Sequence, residues 1–417
     1  MRPRPVYAAP VPLKVLFLSS CVRGGGAGYS LYYLLKHLDR SVIEPLVVVP
    51  DAGIFAERFA ELGVTVVVPK RFPERTAQQR FGVQNRATGA LSYAWNLADS
   101  VWLVPSLIRL IKQHHVELVY CNNMMVKPLG APAAQLADVP CVLHVRNLHE
   151  KRFAIALYCD TVARLPAVQL VIANSSASAV PYRRAVPHKV VVVHNGVDLS
   201  EYSADAVPHG TLRAQLGAAP DEPLVVFTGN LIPRKGVDVL LRAFAQVLRD
   251  VPRARLALAG RVPIGSPVDY RARYRELAAT LGISAQVHFL GFVADVRSLV
   301  ADADALVLPS LQEPFGRSII EAMALGTPVI ASRVGGIPEV LDDGIDGLLV
   351  PPADDLALSH ALERLVSDPA LRAALAARAE REVRARFDVA RSSEQMQQLL
   401  LRAAGRVPTA PSAEAQA

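Results

Sequence analysis

Short runs of Val, Leu and Ile recur along the chain and alternate with stretches whose apolar residues fall at helical spacing. In the first half the runs are LKVLFLS (13–19), EPLVVVP (44–50), VTVVVP (64–69), VELVYC (116–121), PCVLHV (140–145), VQLVIA (168–173) and KVVVVH (189–194). They are apolar without alternation, so neither face of the strands they predict is left for water. That pattern belongs to parallel strands covered by helices on both sides. The expected fold class is α/β, a doubly wound parallel sheet.

The rhythm pauses at NGVDLSEYSADAVPHG (195–210), a polar segment bearing Pro, Gly and Asp, and then restarts with PLVVFTG, ARLALAG, QVHFLG, DALVLPS, TPVIAS and GLLVPP. Each is followed by a loop and mostly by a helix, as in VDVLLRAFAQVLRD (237–250). Two Rossmann-like units are expected, an N-terminal domain over 1–198 and a C-terminal domain over 199–386, with the hinge near 195–210. Ala/Leu/Arg-rich helices are expected over 354–367 and 369–386, and a helix at about 387–404 is expected to pack back on the first domain. Residues 405–417 lack periodicity and are expected to be disordered.

A chain of 417 residues that is 51% apolar can bury the core that two such domains need. Its 45 Lys and Arg against 38 Asp and Glu give +7, which favours anionic ligands or an anionic membrane face. No dense basic run points to nucleic acid. Cys21, Cys121, Cys141 and Cys159 lack zinc-like spacing and are expected to be reduced, structural thiols. The basic N-terminus leads into LKVLFLSS and then CVRGGG, a first buried strand rather than a secretory signal, so the expected location is cytoplasmic. AWNLADSVWLVPSLIRLI (94–111) is interrupted by Asp99, Pro105 and Arg109, and is expected to be a core helix rather than a membrane span. The 69–89 connection mixes Lys70, Arg71, Arg75, Arg80 and Arg86 with Phe72 and Phe81. It is either a solvated loop or a contact to an acceptor or to the inner face of a membrane, which would make the protein peripheral there.

Ligands of open parallel sheets bind beyond the carboxyl ends of the strands, so the loops after the strands carry the candidate chemistry. After PLVVFT comes GNLIPRKG (229–236): Gly229 permits close approach, and Arg234 and Lys235 stand just before a helix N-terminus, where free N–H groups already favour an anion. That combination suits a diphosphate. CVRGGGAGYS (21–30) lacks the dinucleotide fingerprint, and its glycines, Gly25 and Gly26 among them, fit close backbone approach to a bulky polar ligand facing the second domain.

In QEPFGRSIIEAMALGTPVI (312–330), Glu313 is expected at a strand end and Glu321 on the early helix, both toward one cleft. Each carboxylate matches a pair of vicinal hydroxyls on a sugar. The backbone of Phe315, Gly316 and Arg317 would offer N–H groups between them. The competing reading is an i,i+4 pair between Arg317 and Glu321 with Glu313 merely solvated. A third, glycine-rich loop, ASRVGGIPEV (331–340), falls at another strand end. Asp302-Ala-Asp304 precedes its strand, at the wrong end for a ligand, and is expected to be a turn and cap; no metal is assigned.

With GGGAG near the start, HNGVD (194–198), GNLIPRKG, LGF after the third strand of the second series, EPFGRSIIEAMALGTPVIAS and GGIPEVL, the chain resembles the retaining, nucleotide-sugar-dependent glycosyltransferases of family 4. The resemblance implies a GT-B fold, two Rossmann-like domains facing a central cleft. It implies a hexosyltransferase-type enzyme that moves a sugar from a nucleoside diphosphate, UDP or GDP first, to an acceptor hydroxyl in glycan, polysaccharide or glycolipid biosynthesis. The acceptor would be a glycan, a lipid-linked or a small molecule, and no cofactor or metal is needed. Carried over, Arg234 and Lys235 hold the diphosphate, Glu321 the ribose and Glu313 the transferred sugar. Phe315, Gly316, Arg317 and Ser318 supply donor contacts, Gly291, Phe292 and Val293 border the base, and Gly229 and Arg261 line the donor side. Gly25, Gly26 and Asn195 fall on the acceptor or phosphate side. Many members place a His after the strand that ends here in CVLHV; Arg146 occupies that position, with His149 the second candidate, while His144 is expected to be packed inside the strand. The catalytic set is then Arg234, Lys235, Glu313 and Arg146, in a monomer or homodimer. A nucleotide-sugar 2-epimerase and a non-catalytic nucleotide-sugar-binding subunit are the alternatives.

Overall fold

The computed structural model describes residues 11–21, 25–70, 102–148, 160–263 and 266–406. Residues 71–89 of the basic connection, His149, Cys159 and residues 407–417 lie outside the described residues.

Each apolar run became a strand. The first sheet holds β1 (Leu13–Leu18), β2 (Ile43–Val48), β3 (Thr65–Val67), β4 (Leu118–Cys121), β5 (Cys141–Val145), β6 (Val168–Ala173) and β7 (Val190–Val192), all parallel, in the order β3-β2-β1-β4-β5-β6-β7. The second holds β8 (Leu224–Thr228), β9 (Arg255–Ala259), β10 (Val287–Gly291), β11 (Ala305–Leu308), β12 (Val329–Ser332) and β13 (Leu348–Val350), also parallel, in the order β10-β9-β8-β11-β12-β13. Strand β1 explains the unbroken apolar runs. Val15 and Phe17 face one core with Leu31 and Leu35 of the helix Gly26–His37, while Leu16 and Leu18 face another with Leu103, Leu107 and Ile111. Those last three lie at helical spacing on a helix over 102–113, so the described part of the 94–111 segment is a core helix. Among the described residues no helix is long and apolar enough to cross a membrane.

The thiols of Cys121 and Cys141 are buried side by side with their Sγ atoms 3.9 Å apart, and Cys21 is half-buried. The helices Asp355–Ser367 and Pro369–Arg386 sit where the sequence places them, and the helix Val389–Ala403 then crosses to the first sheet. Its Met396, Leu399 and Leu400 are buried in the same core as Val15 and Phe17. Gly405 and Arg406, which the sequence reading placed in the tail, are held to the body: Gly405 closes the last helix at φ 71°, and Arg406 donates to the Val11 carbonyl at 2.5 Å and pairs with Glu117.

The chain thus passes between the layers twice, and the two passages clasp each other. Val197 N–H donates to Phe387 O at 2.8 Å, and Val389 N–H donates to Val197 O at 3.1 Å. Gly196 makes the approach feasible, because a Cβ there would stand 2.4 Å from Val389 Cα. Next along the chain, buried Asp198 accepts from Lys36 Nζ at 2.7 Å, His37 Nε2 at 3.0 Å and Ser200 Oγ at 2.6 Å. Burial alone would raise this carboxyl, but the His37, Lys36 and Ser200 bonds hold it well below the usual range.

Gly196→Val therefore forces the crossing strands apart. It is expected to cost ~1–3 kcal/mol of stability, the usual penalty of overpacking, read as a lower urea midpoint. An unchanged midpoint would mean that the crossing is loose.

Candidate functional site

The sheet orders reverse between β1 and β4 and between β8 and β11, and ligand crevices open at such switch points. Between the layers lies a cleft of about 1050 Å³ lined almost strand end by strand end: Cys21 after β1, Asp51 after β2, Arg146 after β5, Asn174 after β6, Gly229 after β8, Arg261 after β9 and Phe292 after β10.

Strands β8 and β11 are neighbours, so the loops that follow them touch. Leu311 N–H donates to Arg234 O at 2.8 Å. The short turn Pro233–Lys235 then aims Lys235 Nζ at Glu313 Oε2, 2.5 Å away, and Ser310 Oγ supports the same oxygen at 3.4 Å. Glu313 is only 7% exposed, so it is not the solvated carboxylate of the competing reading. Arg234 is exposed toward the cleft, with Nη1 3.5 Å from Gln312 O. The other half of that reading stands: Arg317 Nε and Nη2 donate to Glu321 Oε1 at 2.9 and 2.7 Å. Phe315 turns its ring into the core beside His194 and Phe387, at 5.6 and 5.9 Å between ring centres, which leaves its backbone with Gly316 and Ser318 at the cleft. At the far end the Arg261 guanidinium lies 4.7 Å from the ring centre of Phe292, a half-exposed aromatic plate next to Val293.

On the opposite wall Gly25 and Gly26 open the helix Gly26–His37 onto the cleft. Buried Arg146 is held by Asn122 Oδ1 at 3.1 Å, Asn195 Oδ1 at 2.7 Å and His144 Nδ1 at 3.2 Å. The Tyr120 hydroxyl, pushed up to about 12 by burial, also bonds to His144 Nδ1. Burial, with the nearby positive charges of Arg146 and Lys127, holds His144 well below the ordinary histidine value. It is a packed, neutral histidine that braces the arginine from behind.

Sequence reasoning missed Asn174, whose buried Oδ1 has no partner among the described residues and which lines the cleft. Its signal was available, since a polar residue directly follows the run VQLVIA. It also missed Glu339 of GGIPEVL, whose carboxylate crosses between the layers to accept from Ser176 N–H at 2.9 Å, Ala177 N–H at 3.2 Å and His194 Nε2 at 3.0 Å. Nothing in the local pattern announces that reach. Asp302 accepts from Gly210 and Leu212 N–H, and Asp304 from Leu224 N–H and Arg213, so both are caps and turn anchors. Among the described residues no cluster of metal-ligating side chains occurs.

A model of the group 1 glycosyl transferases matches residues 209–382, and one of Glycosyltransferase Family 4 matches residues 24–201. The D-inositol 3-phosphate glycosyltransferase of Kineococcus radiotolerans is 33% identical over 298 residues, which cover 64% of this chain and 68% of that protein. The chain belongs to the family 4 glycosyltransferases. Its likeness to the enzyme of the same name from Streptomyces bingchenggensis is 34% over 275 residues, 62% of this chain and 60% of that one. The aligned stretches thus span about two thirds of these curated family 4 relatives. The structure of Anabaena Alr3699/HepE in complex with UDP-glucose superimposes with a TM-score of 0.78 at 28% identity, covering 94% of this chain and 100% of that one. Its GT-B fold is shared here.

The Glu339 clasp carries a pH signature. Although burial raises its carboxyl, the bonds from Ser176, His194 and Ala177 hold it below the ordinary value. A depressed folded value means that this stability is present above the unfolded carboxyl value and is lost as pH falls through the folded one. Glu339→Gln is expected to cost ~1–3 kcal/mol near neutral pH. Urea titrations should show the gap between variant and wild type closing below about pH 4; a gap that stays constant with pH would remove the carboxylate from the clasp.

Proposed function

We propose that this family 4 glycosyltransferase transfers a sugar, with retention, from a nucleoside diphosphate to an acceptor hydroxyl in the cleft. The observation that carries the reading is the meeting of Arg234 and Lys235 with Glu313 at adjacent strand ends, cations for a diphosphate beside a carboxylate for hydroxyls. The UDP-glucose bound by the Anabaena relative supports a nucleotide-sugar donor, with a UDP-sugar first.

In this reading the base lies against Phe292 and Val293 with Arg261 at its edge, and Glu321 receives the ribose. The diphosphate lies over Gly229 between Arg234, Lys235 and the backbone of Gly316 and Ser318. Lys235 and Glu313 exchange partners when the donor enters, the amine turning to phosphate oxygen and the carboxylate to sugar hydroxyls. The acceptor comes from the side of Gly25, Gly26, Asn195 and Arg146. The bond from the sugar carbon to the diphosphate oxygen breaks, the acceptor oxygen bonds to the same carbon on the same face, and its proton passes to the departing phosphate. Negative charge grows on the leaving oxygen, where fixed cations stabilise the transition state more than the ground state.

Arg234→Ala is therefore expected to lower turnover by about 100- to 1000-fold, or ~2.7–4 kcal/mol of barrier, with donor KM changed far less. Steady-state kinetics with UDP-glucose and GDP-mannose as trial donors would measure it. Unchanged turnover would remove the assignment, and an epimerised sugar from donor alone would replace transfer with epimerisation.

A further inference from the structure

Arg317 begins the helix that carries Glu321, and its side chain is only 11% exposed. Its guanidinium faces two ways. Nε and Nη2 both end on Glu321 Oε1, while Nη1 reaches Ser30 Oγ on the facing helix Gly26–His37 at 3.4 Å. The guanidinium carbon lies 5.8 Å from the ring centre of Tyr29 and 5.3 Å from that of Tyr33, both on that same helix. The side chain lies close along the start of that helix, since a Cβ at Gly26 would stand in ordinary contact with Arg317 Cδ at 3.5 Å.

A carboxylate oxygen has two lone pairs, and two N–H donors from one arginine occupy both on Oε1. Both donors converge on that one oxygen, so the ion pair anchors Oε1 at the guanidinium. Oε2 takes none of these bonds, and its two lone pairs suffice for two hydroxyls. For Arg317 to turn to a phosphate instead, it would have to give up both bonds to Glu321 and, with them, its contacts to Ser30, Tyr29 and Tyr33 on the facing helix.

We propose that Arg317 is a positioning residue for the donor and makes no contact with the diphosphate: it holds Glu321 so that Oε2 receives the ribose hydroxyls. The inference rests on the reading of Glu321 as the ribose acid.

The test compares UDP and GDP with their 2′,3′-dideoxy analogues by isothermal titration calorimetry. Wild type is expected to prefer the ribose form of the nucleotide it binds by about tenfold or more, the worth of hydrogen bonds to a charged group. Arg317→Met is expected to erase most of that preference while its affinity for the dideoxy analogue stays within about twofold, and Arg317→Lys to restore part of it. Adding Glu321→Gln to Arg317→Met should cost no more than Glu321→Gln alone, because residues acting through one contact are not additive. Thermal unfolding of Arg317→Lys, which keeps the charge, separates positioning from a folding defect. Equal weakening of ribose and dideoxy forms would make Arg317 a phosphate ligand, and an intact preference in Arg317→Met would leave it no role at the ribose; either overturns the inference alone. Absence of binding of both UDP and GDP to wild type would overturn the donor reading and this inference with it.

Discussion

The clasp between Val197 and the Phe387–Val389 crossing is the constraint on which the cleft depends. Each sheet buries its own faces, and beyond those cores Tyr33 of the first domain packs into the core of the second. The clasp holds the two crossing segments together, and it hands the constraint on. One residue beyond Val197, Asp198 is tied to Lys36 and His37 at the far end of the helix whose near end is Gly25 and Gly26. On the returning strand, the residues after Val389 form a helix whose Met396, Leu399 and Leu400 enter the core of the first sheet. The orientation of the helix that forms one cleft wall is thus set by the two segments that join the domains.

Within the cleft, three carboxylates are paired with cations before any ligand arrives. Lys235 meets Glu313, Arg317 meets Glu321 and Arg297 meets Asp295. A lone carboxylate as buried as Glu313 would carry a large desolvation cost. Pairing it with a lysine offsets part of that cost and leaves a cation whose next partner, in the proposed reading, is a phosphate. The pair then exchanges one set of charged hydrogen bonds for another instead of breaking them, so the site holds both groups in place at little expense to stability.

Much of this was legible in the sequence, for a local reason. Parallel strands buried on both faces must be apolar at every position, so all the strands announced themselves as unbroken Val/Leu/Ile runs, and the ligand loops had to follow their carboxyl ends. That rule located Gly229, Arg234, Lys235 and Glu313 on one cleft, and the family resemblance added Arg146. The rule would also have located Asn174 had every strand end been read with equal care. What the sequence hid is contact between the domains. Glu339 on the Ser176–Ala185 helix and Arg317 against Ser30, Tyr29 and Tyr33 join residues more than a hundred positions apart, and no periodicity encodes such a partner. Arg406 is another such case, held by Val11 and Glu117, both distant in sequence.

Arg146 is built into the cleft wall opposite Lys235 and Glu313. A histidine at that strand end would change charge near neutrality, whereas a guanidinium keeps its charge in a protein. The surroundings are matched to the arginine: Asn122 and Asn195 offer carbonyl oxygens to its N–H groups, and the histidine two residues earlier points inward, where burial and the arginine itself keep it neutral. A neutral His144 can accept from Arg146 at Nδ1, which a protonated ring could not do. Substituting histidine for Arg146 would therefore strand two asparagine oxygens and deprive His144 of the charge that helps hold it neutral, so the arginine is built into this wall from behind.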